Sequence, residues 1–332
     1  METKSIMLQT LSVPCACRCR YCLLSWDGRT LGADYERSKR LAFRFSDYMK
    51  KNRPGVSFHF TFGYCMDHPK LAEELNFLNS IGSVQGQFLQ MNGFRLRGHG
   101  EIRKLMEEIR SHGVKSVNFT FYGLSAYHDR FAGSPGDFSH LLDMAKCASE
   151  VGLEVSAGLP LTRENAEQAE ELIGLLEDAG VQRTFAFIPH GEGRGALLEP
   201  VRFTARDLEK LGPKGKDRLN KRRFRTEREW VLGDWPEEQS RSLLISLTPE
   251  NIGELENADF ESVIRRAEAL DDGYYAALPP FKALCERYGD PDGIGFYGKR
   301  DLFQRFQKRY IAEHGLTIRD VTDERFCGSR RY

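Results

Sequence analysis

The sequence predicts an α/β fold: a partial (βα)6 TIM-like barrel of parallel strands over residues 1–200, with a mostly helical extension over 201–332 that closes or flanks it. Three observations carry this expectation. Short β-rich runs alternate with helical stretches from residue 5 to residue 190. From the second run on, the repeat is roughly 30 residues, the size of a βαβ unit. Glycines follow the helical stretches at Gly82, Gly113, Gly152 and Gly180, where a helix end favours a left-handed residue. Such alternation implies parallel strands with right-handed crossovers, and six units are too few to close an eight-stranded barrel.

The first strand is expected over 5–13, followed by a helix over 33–52 in which Leu41, Phe45, Tyr48 and Met49 lie near helical spacing. Strands over 56–62, 86–91, 115–121, 153–159 and 184–189 then alternate with helices over 69–80, 101–112, 138–150 and 165–179. Beyond residue 200 the alternation breaks. Residues 214–225 (KGKDRLNKRRFR) are strongly basic, and residues 237–272 turn acidic, so the two are expected to complement each other. Residues 301–314 read as an amphipathic helix, with Leu302, Phe303, Phe306, Tyr310 and Ile311 near one side and packed against the barrel. Phe281, Phe296, Tyr297, Phe303 and Phe306 are expected to close over the barrel mouth, where excluding water protects reactive species.

Composition narrows the function classes. The chain is 40% hydrophobic and 29% charged, with mean hydropathy −0.49, as in soluble globular proteins. No apolar run approaches the about 18 residues of a membrane helix. The first residues are too polar for a secretory signal, so a cytoplasmic location is expected. Lys+Arg and Asp+Glu both number 48, which gives no global field for nucleic acid or acidic membranes. In a reducing compartment, clustered cysteines point to a metal or to catalysis rather than to disulfides.

The cluster is PCACRCRYC, residues 14–22, which holds four of the eight cysteines. One reading places all four on one zinc. Structural zinc sites usually draw on two separated pairs, and Cys65, Cys147, Cys285 and Cys327 form no second pair. The other reading omits Cys17. Cys15-x3-Cys19-x2-Cys22 then offers three thiolates to a cubane [4Fe-4S] cluster, leaving one iron open, as catalytic metal sites require. The loop directly follows the first strand, and chemistry in parallel βα folds gathers at the C-terminal strand ends. Tyr21 puts an aromatic beside the last thiol, able to shield the cluster or contact a cofactor. Cys17 is expected to be dispensable.

This C-x3-C-x2-C pattern, with an aromatic before its last cysteine and a βα repeat behind it, resembles the radical S-adenosylmethionine (radical SAM) superfamily. The resemblance covers roughly residues 5–200. It implies that the open iron is chelated by SAM, whose reductive cleavage gives a 5′-deoxyadenosyl radical that abstracts hydrogen from a substrate. Residues 61–69 (TFGYCMDHP) stand where the family usually shows G-G-E-P and then His-Pro; Gly63, His68 and Pro69 fit, while Phe62, Tyr64 and Cys65 depart. Met91-Asn92-Gly93 is similar to the family's T-N-G turn, and Thr120-Phe121-Tyr122-Gly123 to its S-L-D-G. His128-Asp129, residues 133–138, residues 161–165 and residues 189–195 extend the ordered series. The series is most similar to the peptide-modifying subgroup and its molybdenum-cofactor and heme-precursor relatives.

The resemblance implies a SAM shell of Tyr21, Gly63, Tyr64, Asn92, Thr120 and Ser156. Each piece also has a plain reading. Asn92-Gly93 is a common tight turn. Asn165 suits the neighbourhood of an N-cap, His128-Asp129 a surface pair, and His190 a solvated loop. Cys65 is either a small buried hydrophobe or, at the cofactor mouth, a hydrogen-atom donor. The expected substrate is a ribosomally made peptide, with a small metabolite as the alternative and an electron donor such as flavodoxin or ferredoxin as partner. The non-enzyme alternative is a zinc or Fe-S interaction module whose basic run meets an acidic partner. The extension holds too few cysteines, Cys285 and Cys327, for a second cluster.

Overall fold

The computed structural model describes residues 1–10, 15–22, 32–63, 65–191, 193–237 and 240–318. In chain order the strands are β1 Glu2–Gln9, β2 Ser57–Thr61, β3 Phe88–Gln90, β4 Ser116–Thr120, β5 Glu154–Pro160, β6 Arg183–Phe187, β7 Phe224–Thr226, β8 Ser240–Ser246 and β9 Phe296–Gly298. The first helices are α1 Tyr35–Asn52, α2 Leu71–Ser80, α3 His99–Ser111, α4 Ser125–Ala132, α5 Asp137–Glu150 and α6 Ala169–Asp178. Those beyond β6 are α7 Gly212–Arg218, α8 Glu227–Leu232, α9 Ile252–Asn257, α10 Phe260–Ala276, α11 Phe281–Tyr288 and α12 Lys299–Glu313.

The six expected strands are present, and β1–β6 pair only in parallel. They do not form one run. β2-β1-β8 make one sheet and β3-β4-β5-β6 another. Across the break between β2 and β3, side chains replace the ladder. The Ser83 hydroxyl accepts from Phe60 N (3.3 Å) and donates to Phe60 O (2.7 Å), and Gln85 Nε2 donates to Gly63 O (3.0 Å). The seventh parallel strand, β8, comes from the extension expected to be mostly helical. It pairs along β1 from Glu2↔Ser240 to Gln9↔Ser246.

Strand alternation sets the two faces of the first sheet. Ile6, Leu8 and Phe60 are fully buried against Leu41, Phe45 and Met49 of α1. Those three residues recur every four positions and so form one stripe of the helix. Asp34 caps α1 by accepting from Arg37 N (2.9 Å). The opposite strand face carries Met7, Gln9, His59 and Thr61 into the barrel interior.

Three expectations about the C-terminal third are corrected. The basic run meets α6 rather than 237–272: Lys214 Nζ lies 2.6 Å from Glu177, and Arg218 contacts Glu177 and Thr184. The acidic stretch instead meets α1 and β8, through Arg37–Glu256, Arg53–Glu261 and Arg241–Asp271. α12 buries Leu302 and Phe306 in a satellite core with Trp230, Phe281, Leu284, Cys285 and Tyr297, not in the barrel core. The aromatic residues expected as a lid are therefore packing, with Phe281 on Phe303 and Phe296 on Phe203. Helix α4 was not expected at all. No helix among the described residues is long and apolar enough to cross a membrane.

Two outcomes follow. Leu243 is 1% exposed on β8 and Leu232 is 61% exposed. Leu243→Ala should cost about 2–5 kcal/mol in denaturant titration, and Leu232→Ala almost nothing. Glu74 is fully buried, its carboxylate oxygens have no hydrogen-bond partner, and burial pushes its pKa from 4.5 up to about 8. Because the folded value is the higher one, folding favours the protonated acid, and that contribution is lost as pH rises from 4.5 through about 8. Glu74→Gln should therefore gain stability over the parent at pH 9 and show little gain at pH 4.

Candidate active site around the cysteine loop

Residues 15–22 are held at the C-terminal side of β1 by backbone bonds to three other segments. Ala16 N donates to Gly93 O (2.8 Å), Arg18 N to Ala132 O (2.6 Å), and Arg20 N to Phe131 O (3.0 Å). Arg194 N donates to Cys22 O (3.3 Å). The Arg18 guanidinium folds back onto Cys15 O and Cys17 O (2.9 and 2.8 Å), which fixes the loop's curvature.

The four thiols differ in burial and in contacts. Cys15, Cys19 and Cys22 are half-buried, while Cys17 is buried with its Sγ 3.8 Å from Asp137 Oδ1. Cys17 also lies within hydrogen-bond reach of both Cys15 and Cys19. Its single S–H can serve one of these acceptors at a time, and these contacts together with burial hold that proton tightly. That donation pulls the Cys15 pKa down to about 7, and Cys19 down as well. Tyr122 OH supports Cys19 at 3.1 Å. A buried chain completes the inner side: Asp137 Oδ2 lies 2.9 Å from His128 Nε2, and His128 Nδ1 accepts from Tyr122 N (3.1 Å). His128 is thus a core residue and not half of a surface pair, and Asp129 caps α5 through Gly136 N and Phe138 N.

Gly93 gives the loop its room. It has φ +86°, and a Cβ there would sit 2.2 Å from Cys15 Sγ and 3.5 Å from Cys65 Sγ. The turn after β3 is therefore the floor of the first thiol. Soft thiolates raised on a loop suit iron–sulfur chemistry. Among the described residues, no three His, Cys, Asp or Glu side chains converge on one ion-sized point.

The expected SAM-shell residues are mostly engaged within the chain. Asn92 Oδ1 accepts from Thr120 N (2.6 Å) and its Nδ2 donates to Thr120 O (2.9 Å), so it prolongs the β3–β4 ladder. Thr120 Oγ1 contacts Gln90 and the Tyr21 hydroxyl. Ser156 accepts from Asn118 Nδ2 (2.8 Å). Gly63 O takes two donors, Gln85 and Thr61. Tyr21 packs on Tyr122 and Phe131, at 5.6 and 5.9 Å between ring centres. Tyr64 and Cys327 lie outside the described residues. Cys65 is in the main core beside Cys15, its pKa pushed up to about 12 by burial. Asn165 is a clamp: its Nδ2 donates to Tyr122 O and Pro160 O (2.6 and 2.7 Å). His190 Nδ1 lies 3.8 Å from Asp301 Oδ1. Tyr122, Asp137 and the role of Gly93 were not anticipated, because each depends on contacts distant in sequence.

The radical SAM superfamily pattern matches residues 11–176, half of the chain. The chain belongs to the radical SAM superfamily. Membership implies SAM and an iron–sulfur cluster, for which the thiol loop is the fitting donor set. Over 153 residues the chain is 27% identical to an AdoMet-dependent heme synthase of Oleidesulfovibrio alaskensis, covering 46% of this chain and 38% of that protein. It thus spans well under half of that relative. Among solved structures, Streptococcus suis SuiB bound to its precursor peptide SuiA matches with TM-score 0.51 and 14% identity, over 78% of this chain and 62% of that one. The coproporphyrinogen III oxidase HemN of Escherichia coli matches with TM-score 0.45 and 10% identity, over 93% and 91%. The likeness to SuiB agrees with the open barrel described above.

Gly93→Ala should displace Cys15, since the new methyl meets both sulfur and a strained φ. Iron bound per chain after anaerobic purification should fall well below that of the parent, while Gly55→Ala, with nothing within 4 Å, should leave it unchanged.

Proposed function

We propose that this radical SAM protein is an enzyme in which Cys15, Cys19 and Cys22 hold a [4Fe-4S] cluster with one open iron for SAM. The supporting observation is the division of the loop: Cys15, Cys19 and Cys22 are half-buried, while Cys17 is buried with its Sγ on Asp137. The bound pair supplies a 5′-deoxyadenosyl radical that takes a hydrogen atom from the substrate. The chain's own residues position and shield. Gly93 makes room for Cys15, Tyr122 steadies Cys19, and Tyr21, Tyr122 and Phe131 wall the loop against water. Asn92 fixes Thr120, and Thr120, Ser156 and Gly63 are the described residues proposed for the SAM shell. Cys65, buried behind Cys15, is better suited to packing than to hydrogen-atom donation.

The substrate we favour is a ribosomally made peptide, as the likeness to a SuiA-bound fold supports. A second reading, a small metabolite, is favoured by the identity to a heme synthase. Lys214 and Arg218 meet acids of this chain, which takes two residues of the basic run from the interaction-module alternative. A cytoplasmic setting with a flavodoxin- or ferredoxin-like electron donor completes the proposal.

Anaerobic purification with iron and sulfide analysis tests it. The parent and Cys17→Ala should each carry about four irons, and single Ala variants of Cys15, Cys19 or Cys22 should lose them. With dithionite and SAM the parent should release 5′-deoxyadenosine. One zinc per chain, or iron lost with Cys17→Ala and kept with Cys19→Ala, would sink the assignment.

A further inference from the structure

The barrel interior contains a cavity of about 370 Å³ beside the break between the two sheets, lined by Met7 and Gln9 of β1, His59 and Thr61 of β2, and Val84 and Gln85. Three of its side chains carry buried polar atoms with no hydrogen-bond partner: Gln9 Nε2, His59 Nδ1 and Gln85 Oε1. A fourth such atom, Ser246 Oγ, neighbours Gln9 in the β1–β8 register. Gln9 is 3% exposed. Leaving such groups unpaired is costly, so a partner is expected to reach them. The orientation of Gln85 is settled by its neighbour: Nε2 donates to Gly63 O, which leaves Oε1 as a free acceptor. Gln9 Nε2 is a free donor. The described lining includes no Lys, Arg, Asp or Glu, and burial lowers the His59 pKa, keeping the ring neutral. Met7 and Val84 are apolar yet 38% and 55% exposed, which gives a ligand an apolar wall.

We propose that this cavity is a substrate subsite for a neutral carboxamide, a peptide group or side-chain amide, whose oxygen accepts from Gln9 and whose N–H donates to Gln85. A donor and an acceptor with no charge match an amide at both ends. A carboxylate-bearing substrate would find no cation here. The inference rests on the proposed function for its setting, and it selects the peptide over an acidic small molecule.

The test is saturation-transfer NMR on the anaerobically purified full chain, with N-acetylglycinamide and glutarate as probes. Iron content and SAM binding are measured on the same samples. The amide should show transfer and glutarate none. Gln9→Met keeps the volume and removes the donor, and should weaken amide binding about tenfold, the loss of one hydrogen bond. Leu232→Ala, exposed and not in the cavity lining, serves as the folded control, and His59→Phe, checked by thermal melting, serves as a second cavity variant that should also weaken the amide. Glutarate transfer equal to the amide's, no amide transfer, or amide transfer unchanged in both cavity variants would overturn the subsite. Loss of these signals with iron and SAM intact defeats this inference alone. Amide binding retained without iron or SAM binding defeats the proposed function and leaves the cavity assignment standing.

Discussion

The close approach of Cys15 to the Asn92-Gly93 turn is the constraint on which the site depends. A loop that raises three thiols at a strand end has little to stiffen it locally. Here Ala16 N is tied to Gly93 O, and the sulfur of Cys15 occupies the space a side chain at 93 would need. The turn is itself anchored, because Asn92 bonds both backbone groups of Thr120. Strand β4 therefore positions the turn, and the turn positions the first thiol.

The far side of the loop is fixed by a different set of contacts. Arg18 and Arg20 bond the carbonyls that end α4, and Tyr122 carries its hydroxyl to Cys19. Asp137 and His128 lock Tyr122 from beneath, and Asn165 holds its carbonyl. The two sides thus share β4, whose end leads into both Thr120 and Tyr122. Cys17 bonds Asp137 and belongs to this supporting layer. It lies within hydrogen-bond reach of Cys15 and Cys19 and is more buried than either.

Much of the architecture was legible because it is written in local pattern. Strands β1–β6 follow from the alternation of β-rich and helical runs, and Gly82, Gly113, Gly152 and Gly180 do adopt positive φ. Strand β8 was not legible, since its short apolar run, Leu243 to Ile245 between serines, lies outside the regular alternation and its place is set by pairing with β1. The partners of the basic run were missed for a similar reason: charge composition shows that acids are available but not which helix brings them near. In the site, the spacing of Cys15, Cys19 and Cys22 is local pattern, and so is the basis for proposing them apart from Cys17. Gly93 looked like an ordinary turn because its purpose is a sulfur 78 positions earlier in the chain. Gln9 carried no signal, because an unpaired buried donor exists only once the barrel has formed.

The account stands on an open iron held by three thiols of one loop. Electron–nuclear double resonance of the reduced protein with SAM labelled by ¹⁵N at its amino group tests that claim directly. A ¹⁵N coupling to the cluster spin, present in the parent and in Cys17→Ala, is the predicted result. A reduced cluster with no ¹⁵N coupling while SAM is bound would contradict it.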